Sequence, residues 1–165
     1  MTYFARLDNN NIVQQVIVIS VDDILDENGV ESEDIGINFC RGLIGDADSI
    51  WKQSVNPKKL GSGIGTTSFR VRHACIGYTY NTDLDAFITP KPFESWLLDN
   101  NTADWIAPLE EPTLTQEQSN NGDFYEWDED AYQEDNSTGW ILISGVGLGT
   151  TWKNYQVIVP LLLNL

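Results

Sequence analysis

Histidine and cysteine are scarce in this chain, which has one His and two Cys among 165 residues. A Ser-His-Asp or Cys-His catalytic arrangement would have to use His73, and Cys75, two residues later, fits no known nucleophile motif. A tetrahedral zinc site would need an acidic ligand, because no C-x-x-C or H-x-x-x-H spacing occurs. Cys40 and Cys75 cannot define a disulfide framework, and Cys40 lies among apolar residues. We therefore predict no cofactor and no catalytic site of these kinds.

Basic residues are also few: nine Lys and Arg stand against 25 Asp and Glu, giving a formal charge of −16 and a pI near 4.1. Nucleic-acid binding uses clustered cations that release counterions from phosphates, so the composition disfavours a nucleic-acid partner. Strong negative charge also keeps a protein soluble without any further role. Six of the basic residues lie between Arg41 and Arg72. A basic middle between acidic flanks favours side-by-side packing of copies, although solvated charged loops explain the same distribution.

Long hydrophobic runs are missing as well. No stretch reaches the 18 or so apolar residues of a membrane span, and MTYFARLDNN lacks the basic and apolar regions of a signal peptide. We expect a soluble protein, synthesised in a cytoplasm, with no membrane partner. A chain of 165 residues fits one domain with its own core.

Four segments share one sequence pattern, in which an apolar or aromatic strand is followed by an Asp/Asn-rich turn and a second strand. They are TYFARL-DNNN-IVQQVIVISV, IGYTY-NTDLD-AFI, SWLL-DNNTAD-WIA and FYEW-DEDAYQEDNSTG-WILI. Asp and Asn suit such turns because their side chains bond nearby backbone and tolerate left-handed geometry. The VIVIS part of the first hairpin is apolar on both faces, which predicts a central strand. The pattern predicts a mainly β fold, an antiparallel hairpin-rich sheet or sandwich.

One or two short α-helices accompany these strands. Ser32 is a suitable N-cap for an amphipathic helix from residue 33 to about 44, with two acids in its first turn. Ile35, Phe39 and Leu43 recur along it at helical spacing, with Cys40 and Ile44 alongside, as in an amphipathic helix. A further helical turn is predicted in SVDDILDENG.

We predict a single β-rich domain over residues 1–144, with a long loop at about 45–68 and a C-terminal strand or docking tail over 145–165. The loop segment holds Pro, Lys and four glycines with little periodicity. The tail, ending in YQVIVPLLLNL, is apolar enough to require burial in its own sheet or against another subunit. Docking by strand addition is the expected use of both segments. The candidate docking residues are Lys58, Lys59, Val157, Ile158, Val159, Leu161, Leu162 and Leu163.

Prolines and tryptophans mark the middle of the chain. Two prolines in TPKPFESW remove backbone donors and hold an extended connection, which predicts an edge or crossover. Four tryptophans stand at the ends of short strands, where packing is the favoured role and stacking on sugars is the alternative if they are exposed. The candidate packing residues are Pro90, Pro92, Trp96, Trp105, Trp127 and Trp140.

Acidic residues offer two further interpretations. Asp83 with Asp85, or Asp128 with Asp130, could bind a structural Ca²⁺ through oxygen ligands, although turn chemistry explains the same residues. Carboxylate pairs for glycoside hydrolysis are numerous among 25 acids, and nothing in the sequence selects one pair. We therefore predict no metal site.

The segment at 77–108, GYTYNTDLDAFITPKPFESWLLDNNTADWIAP, resembles an ordered series in short virion structural proteins of marine tailed bacteriophages. That series reads G-Y-x-Y, D-A-F-I-x-P-K-P, S-W-x-L and W-x-x-P. The start MTYFARLDNNNIVQQVIVIS, the INFC segment and FYEWDEDAYQ are similar to the same family, whereas residues 45–72 and those after 143 depart from it.

The resemblance implies a non-enzymatic virion structural protein on the particle exterior, with no assigned catalytic residues. Two placements follow: a tail, baseplate or fibre-associated subunit, or a capsid decoration protein. Its partners would be other virion structural proteins, as a homo-oligomer or in multiple copies, after synthesis in the host cytoplasm. The alternatives are a carbohydrate-binding module that recognises a host polysaccharide and, third, a polysaccharide hydrolase.

Overall fold

The computed structural model describes residues 1–54, 70 and 72–145, and this part of the chain is mainly β with antiparallel strands, as predicted. Its strands are β1 Thr2–Leu7, β2 Val13–Ile19, β3 Ile50–Ser54, β4 Thr79–Asn81, β5 Ala86–Ile88, β6 Leu97–Asp99, β7 Asp104–Ile106, β8 Phe124–Trp127 and β9 Trp140–Ile143. Its α-helices are α1 Glu33–Ile44, α2 Gln116–Asn121 and α3 Glu129–Glu134. The strands form one three-stranded sheet and separate two-stranded hairpins.

The three-stranded sheet has β1 at its centre, in the order β2-β1-β3. Both neighbours pair antiparallel with β1, so that Phe4 lies opposite Ile17 on one side and Gln53 on the other. Phe4 belongs to the hydrophobic cluster that α1 covers, whereas Ala5 and Leu7 belong to a second cluster. Because successive side chains of a strand point to opposite faces, the sheet lies between these two clusters.

The prediction that VIVIS forms a central strand is wrong, because it belongs to β2, an edge strand. Val18 is half exposed there. The enclosed strand is β1, whose buried positions include the polar Thr2 and the small Ala5. Hydrophobicity alone therefore identified the wrong strand as central, since a small or hydrogen-bonded residue fills an enclosed position as well as valine does.

All four predicted hairpins are present: β1 with β2, β4 with β5, β6 with β7, and β8 with β9. Side-chain carboxylates organise their turns. Asp8 accepts the backbone N–H groups of Asn10 and Ile12, and Asp99 accepts that of Asn101. These contacts confirm the turn chemistry predicted from Asp and Asn, because each side chain replaces a backbone partner within its own turn.

Helix α1 has the predicted bounds. Its N-cap is Ser32, whose hydroxyl accepts a backbone N–H of the first turn, and it ends at Gly45, which adopts a left-handed φ of 69°. Gly36 and Cys40 are its buried residues. A Cβ atom added to Gly36 would lie 2.0 Å from the ring of Phe4. The close approach of α1 to β1 therefore depends on glycine at this position.

Part of the predicted apolar face of α1 is buried, since Cys40 lies in the core and Ile44 packs against it, whereas the row of Ile35, Phe39 and Leu43 does not. Ile35, Phe39 and Leu43 are 37%, 39% and 63% exposed. Gly36 and Cys40 occupy the buried side instead, because the short distance between helix and sheet leaves room there for small residues. Helical spacing identified the apolar row correctly, but it could not predict whether that row is buried or exposed.

We predicted a long loop over residues 45–68. This prediction is wrong for part of the range, because β3 lies within it. Trp51 and Gln53 are buried, and their strand pairs with β1, which lies far earlier in the chain. A strand whose partner is distant has no neighbouring turn signal, so only its short alternating pattern IWKQS was available. The rest of the predicted loop, 55–68, lies outside the described residues.

The chain divides into two compact units, Met1–Ile106 and Ala107–Leu165. The described part of the second unit holds β8, β9, α2 and α3. Helix α2 has a capping box between Thr115 and Gln118, and α3 is capped by Asp128. Helix α3 falls in the segment DEDAYQEDNSTG, which we predict as a turn. No helix among the described residues is long and apolar enough to span a membrane.

Candidate functional site

A cleft of about 480 Å³ lies in the first unit, between the β4–β5 and β6–β7 hairpins. Apolar side chains of both hairpins contribute to it, chiefly Ile88, Leu98 and Trp105. Leu98 and Trp105 are cross-strand partners in the β6–β7 hairpin. All three also belong to one hydrophobic cluster, so the apolar side of the cleft is part of a packed core and is held in place by it.

Trp105 is fixed within this cleft by contacts at its edge and over its ring. Its indole Nε1–H donates a 2.9 Å hydrogen bond to the carbonyl of Thr89. The Lys91 ammonium lies 5.7 Å from the ring centroid and donates to the carbonyl of Glu94. A cation over an indole face is attracted by the ring quadrupole. The ring is half-buried, with its orientation set before any ligand arrives.

Polar side chains complete the cleft lining. Asn81 uses its side-chain oxygen to accept the N–H groups of Asp83 and Leu84, which directs its NH₂ group away from the turn. Within the described residues, the Asp83 carboxylate and the Thr79 hydroxyl make no hydrogen bond to protein. These groups are therefore held on a short, ordered hairpin with donor and acceptor capacity available to a ligand.

A buried ionic cluster lies elsewhere in the first unit, around Arg70. Its guanidinium bonds Glu33 at 2.8 Å and Asp85 at 2.5 Å, and it also donates to the carbonyl of Gln53. The backbone N–H of Gln53 donates to the same Glu33 carboxylate. Arg70 is 5% exposed. Charged side chains thereby satisfy backbone groups of β3 that face away from β1, at the edge of the sheet.

The pKa values in this cluster follow from its pairing. Burial would lower the pKa of Arg70, but the hydrogen bonds from its guanidinium to Glu33 and Asp85 more than offset this and raise it. Burial, followed by the hydrogen bond to Asp85, raises the pKa of Tyr80 to about 12. For Asp85, burial is opposed by hydrogen bonds from Tyr80 and Arg70, and its pKa is lowered. All three groups thus keep one protonation state near neutral pH, as in a structural cluster.

His73 and Ser54 form a pair that resembles part of a catalytic triad. The Ser54 hydroxyl lies 3.2 Å from His73 Nδ1, and Tyr3 contacts the imidazole edge-on at 4.8 Å. However, Ser54 is only 2% exposed, and its oxygen also accepts the backbone N–H of Ala74 at 2.7 Å. A nucleophile must reach its substrate, so this geometry indicates a hydrogen bond that joins β3 to residues 73–74.

The remaining predicted site residues lie in three places. Pro90 and Pro92 are exposed in the connection between β5 and β6, where Trp96 packs on Phe93 with ring centroids 5.4 Å apart. Trp127 and Trp140 contact each other edge-to-face at 5.2 Å in the second unit. The candidate docking residues, Lys58, Lys59, Val157, Ile158, Val159, Leu161, Leu162 and Leu163, lie outside the described residues.

In each of the two aspartate pairs considered for calcium, one member is bound to another group of the protein. Asp85 bonds Arg70 and Tyr80, and Asp128 accepts the N–H of Ala131 as the N-cap of α3. In the part of the chain that the structure describes, no group of three or more His, Cys, Asp and Glu side chains is arranged to hold a metal ion. Cys40 and Cys75 are free thiols, the first buried and the second exposed.

No family model, curated protein or solved structure matches this chain. Its function therefore has to be inferred from the chemistry of the described residues. Sequence reasoning had named Trp105 for packing and Asp83 as a turn residue, without bringing them together. The sequence did show two consecutive hairpins with Asp/Asn turns. In the structure, apolar residues of both hairpins, β4–β5 and β6–β7, pack in one cluster.

Proposed function

We propose that this chain is a non-enzymatic structural protein on the exterior of a tailed-bacteriophage particle, present in multiple copies. The observation that carries the proposal is the exposed apolar stripe of α1, formed by Ile35, Phe39 and Leu43. The stripe agrees with the role implied by the resemblance to virion structural proteins. A structural subunit requires a surface that binds a neighbour, and this stripe is the best described candidate.

The stripe has the properties of a contact surface. Its three side chains recur one helical turn apart, so they form a continuous row along α1 rather than scattered apolar residues. Contiguous exposed apolar surface marks interaction sites more often than single exposed residues do. The helix beneath is capped at both ends and held close to the sheet at Gly36, which gives the row a rigid support. A rigid surface loses little conformational entropy on binding.

The charge supports an exterior position. A formal charge of −16 repels packaged DNA, whereas it is tolerated on a surface that faces solvent. Within that position, a tail, baseplate or fibre subunit and a capsid decoration protein are both proposed, and both require binding to another virion protein. We propose that a neighbouring subunit of the particle covers the stripe.

Substitution of the stripe tests the proposal. Phe39→Asp combined with Leu43→Asp should leave the protein folded but prevent its incorporation into particles, because both side chains are more than a third exposed. The measurement is the amount of the protein in particles purified after infection with phage that carries the variant gene. Ile76→Asp is the matched control, since Ile76 is 72% exposed outside the stripe. Normal incorporation of the double variant would contradict the proposed role of the stripe.

A further inference from the structure

We propose that the cleft between the β4–β5 and β6–β7 hairpins binds a neutral saccharide. This goes beyond a structural role in a particle, because it assigns a ligand to a site on the isolated chain. The cleft combines a fixed indole ring with hydroxyl, amide and carboxylate groups, and its volume of about 480 Å³ lies within the range of small-ligand sites.

The apolar side of the cleft suits the C–H face of a sugar ring. Trp105 is held by its hydrogen bond to Thr89 and packs with Leu98 and Ile88 in one cluster. An indole already fixed by packing loses little freedom when a ligand stacks on it. The Lys91 ammonium lies over the ring, 5.7 Å from its centroid, so a sugar that stacks on that face would displace it.

The polar side of the cleft suits sugar hydroxyls. Each hydroxyl both donates and accepts, so a site that recognises several of them needs groups of both kinds. Asp83 supplies an acceptor with negative charge, the Asn81 NH₂ group supplies donors, and the hydroxyls of Thr79 and Thr82 supply both. Hydrogen bonds from hydroxyls to a carboxylate are the stronger class, which makes Asp83 the residue expected to fix the ligand's orientation.

The charge around the cleft favours a neutral ligand over a phosphate or another anion. Asp83 would lie close to a bound group, and the whole chain carries a charge of −16. Among the described residues that line the cleft, Lys91 is the single basic residue, and the Asp83 carboxylate offsets its charge. An anionic ligand would thus meet net repulsion at this site.

A second tryptophan-lined cleft, of about 390 Å³, occurs in the other unit beside Trp140. The two hydroxyl groups in its lining are already used within the protein. Ser137 donates to Asp135, and the Thr138 hydroxyl contacts the carbonyls of Ala131 and Asp135. A ligand there would have to compete with those hydrogen bonds, so the cleft at Trp105 is the better candidate.

Binding of the full-length protein to an array of neutral and anionic oligosaccharides and polysaccharides tests the proposal, followed by calorimetric titration of the positives. We expect binding to neutral members. Asp83→Asn should weaken it by about tenfold or more, the usual effect of removing a charge-assisted hydrogen bond. Trp105→Ala should abolish it. Asp23→Asn, which neutralises an exposed carboxylate outside the cleft, should bind like the unmodified protein.

Two results would overturn the proposal. One is an array without binding to any neutral saccharide, and the other is binding that Asp83→Asn leaves unchanged. Asp83 makes no side-chain hydrogen bond within the described residues, so its replacement should preserve the fold, and circular dichroism verifies this. The test therefore does not depend on whether Trp105→Ala folds. Because it uses isolated protein, its outcome is independent of incorporation into particles.

Discussion

Arg70 shows how single residues stabilise this fold. It joins Glu33 of α1, Asp85 of the β4–β5 turn and the carbonyl of Gln53 in β3, and it is almost fully buried. Its position over the Tyr80 ring, 5.4 Å from the centroid, adds a cation–π contact. A buried charge is tolerated only when it is paired and hydrogen-bonded, and each of these contacts contributes to that.

Removing this charge should destabilise the protein strongly. Arg70→Met leaves two carboxylates without their partner, and we expect a loss of about 3 kcal/mol, at the lower end for a broken buried pair because Asp85 is half exposed. Chemical denaturation, monitored by circular dichroism, measures this decrease in the free energy of unfolding. The control is Arg6→Met, whose pair with Asp46 is largely exposed and should contribute under about 1 kcal/mol. Equal losses from the two variants would contradict the assignment.

The lowered pKa of Asp85 predicts a pH dependence. A carboxyl whose pKa is lower in the folded than in the unfolded state adds stability above the unfolded value, near about 3.9, and that stability is lost as the pH falls through the folded value. Stability should therefore decline as the pH falls below about 5, and Asp85→Asn should make the decline shallower. Denaturation curves across that range measure it, with Asp83→Asn as the control in the same turn. A decline unchanged by Asp85→Asn would refute this account.

At the level of elements, α1 presents its fully buried small residues to the sheet, whereas one row of its large apolar residues is exposed. Gly36 permits contact with Phe4, and Cys40 fills the space beside it. Burial raises the pKa of the Cys40 thiol to about 11, which keeps it protonated and inert at neutral pH. Helix α1 thus has two apolar faces, one packed in the core and one available to a partner.

Two glycines of α1 should respond oppositely to alanine. Gly36→Ala places a methyl group into the Phe4 ring and should destabilise the fold by about 1–3 kcal/mol, the usual cost of overpacking. Gly42→Ala meets no atom within 4 Å and should stabilise the helix by about 0.5–1 kcal/mol through reduced backbone entropy. Thermal denaturation of both variants compares them. Stabilisation by Gly36→Ala would show that α1 does not approach β1 as described.

Elements with local signals were predictable from the sequence, and elements that depend on distant partners were not. The hairpins and α1 are specified by turn and capping residues within a few positions of each other, such as Asp8 and Ser32. The position of β1 at the sheet centre depends on β3, and the ion pair of Arg70 with Glu33 joins residues 37 positions apart. Periodicity likewise located the stripe of α1 but could not indicate that it is exposed.

The same limit applies to the cleft. Trp105 and Asp83 were both singled out in the sequence, for packing and for turn chemistry. Neither interpretation brought them together, because the two hairpins that carry them meet only through the apolar cluster of Ile88, Leu98 and Trp105. Side-chain type indicated candidates, and tertiary packing decided which of them share a site.

For the whole molecule, the excess of acidic residues predicts a salt effect. With a formal charge of −16, self-repulsion opposes the compact state, and added salt shortens its range from about 30 Å at 0.01 M to about 10 Å at 0.1 M. The melting temperature should therefore rise over this range, since the buried pairs of Arg70 are screened less. Differential scanning calorimetry in NaCl and, as a control for specific ion binding, in KCl measures it. A fall in both salts would contradict the prediction.

The central proposal, a structural role on a phage particle, is tested most directly by antibody labelling. Antibody raised against this chain is applied to purified particles of the phage that encodes it, and the particles are viewed by electron microscopy. The account predicts label on the particle exterior, over the head for a decoration protein or at the tail for a baseplate or fibre subunit. Particles without label, and without the chain when their proteins are analysed by mass spectrometry, would contradict it.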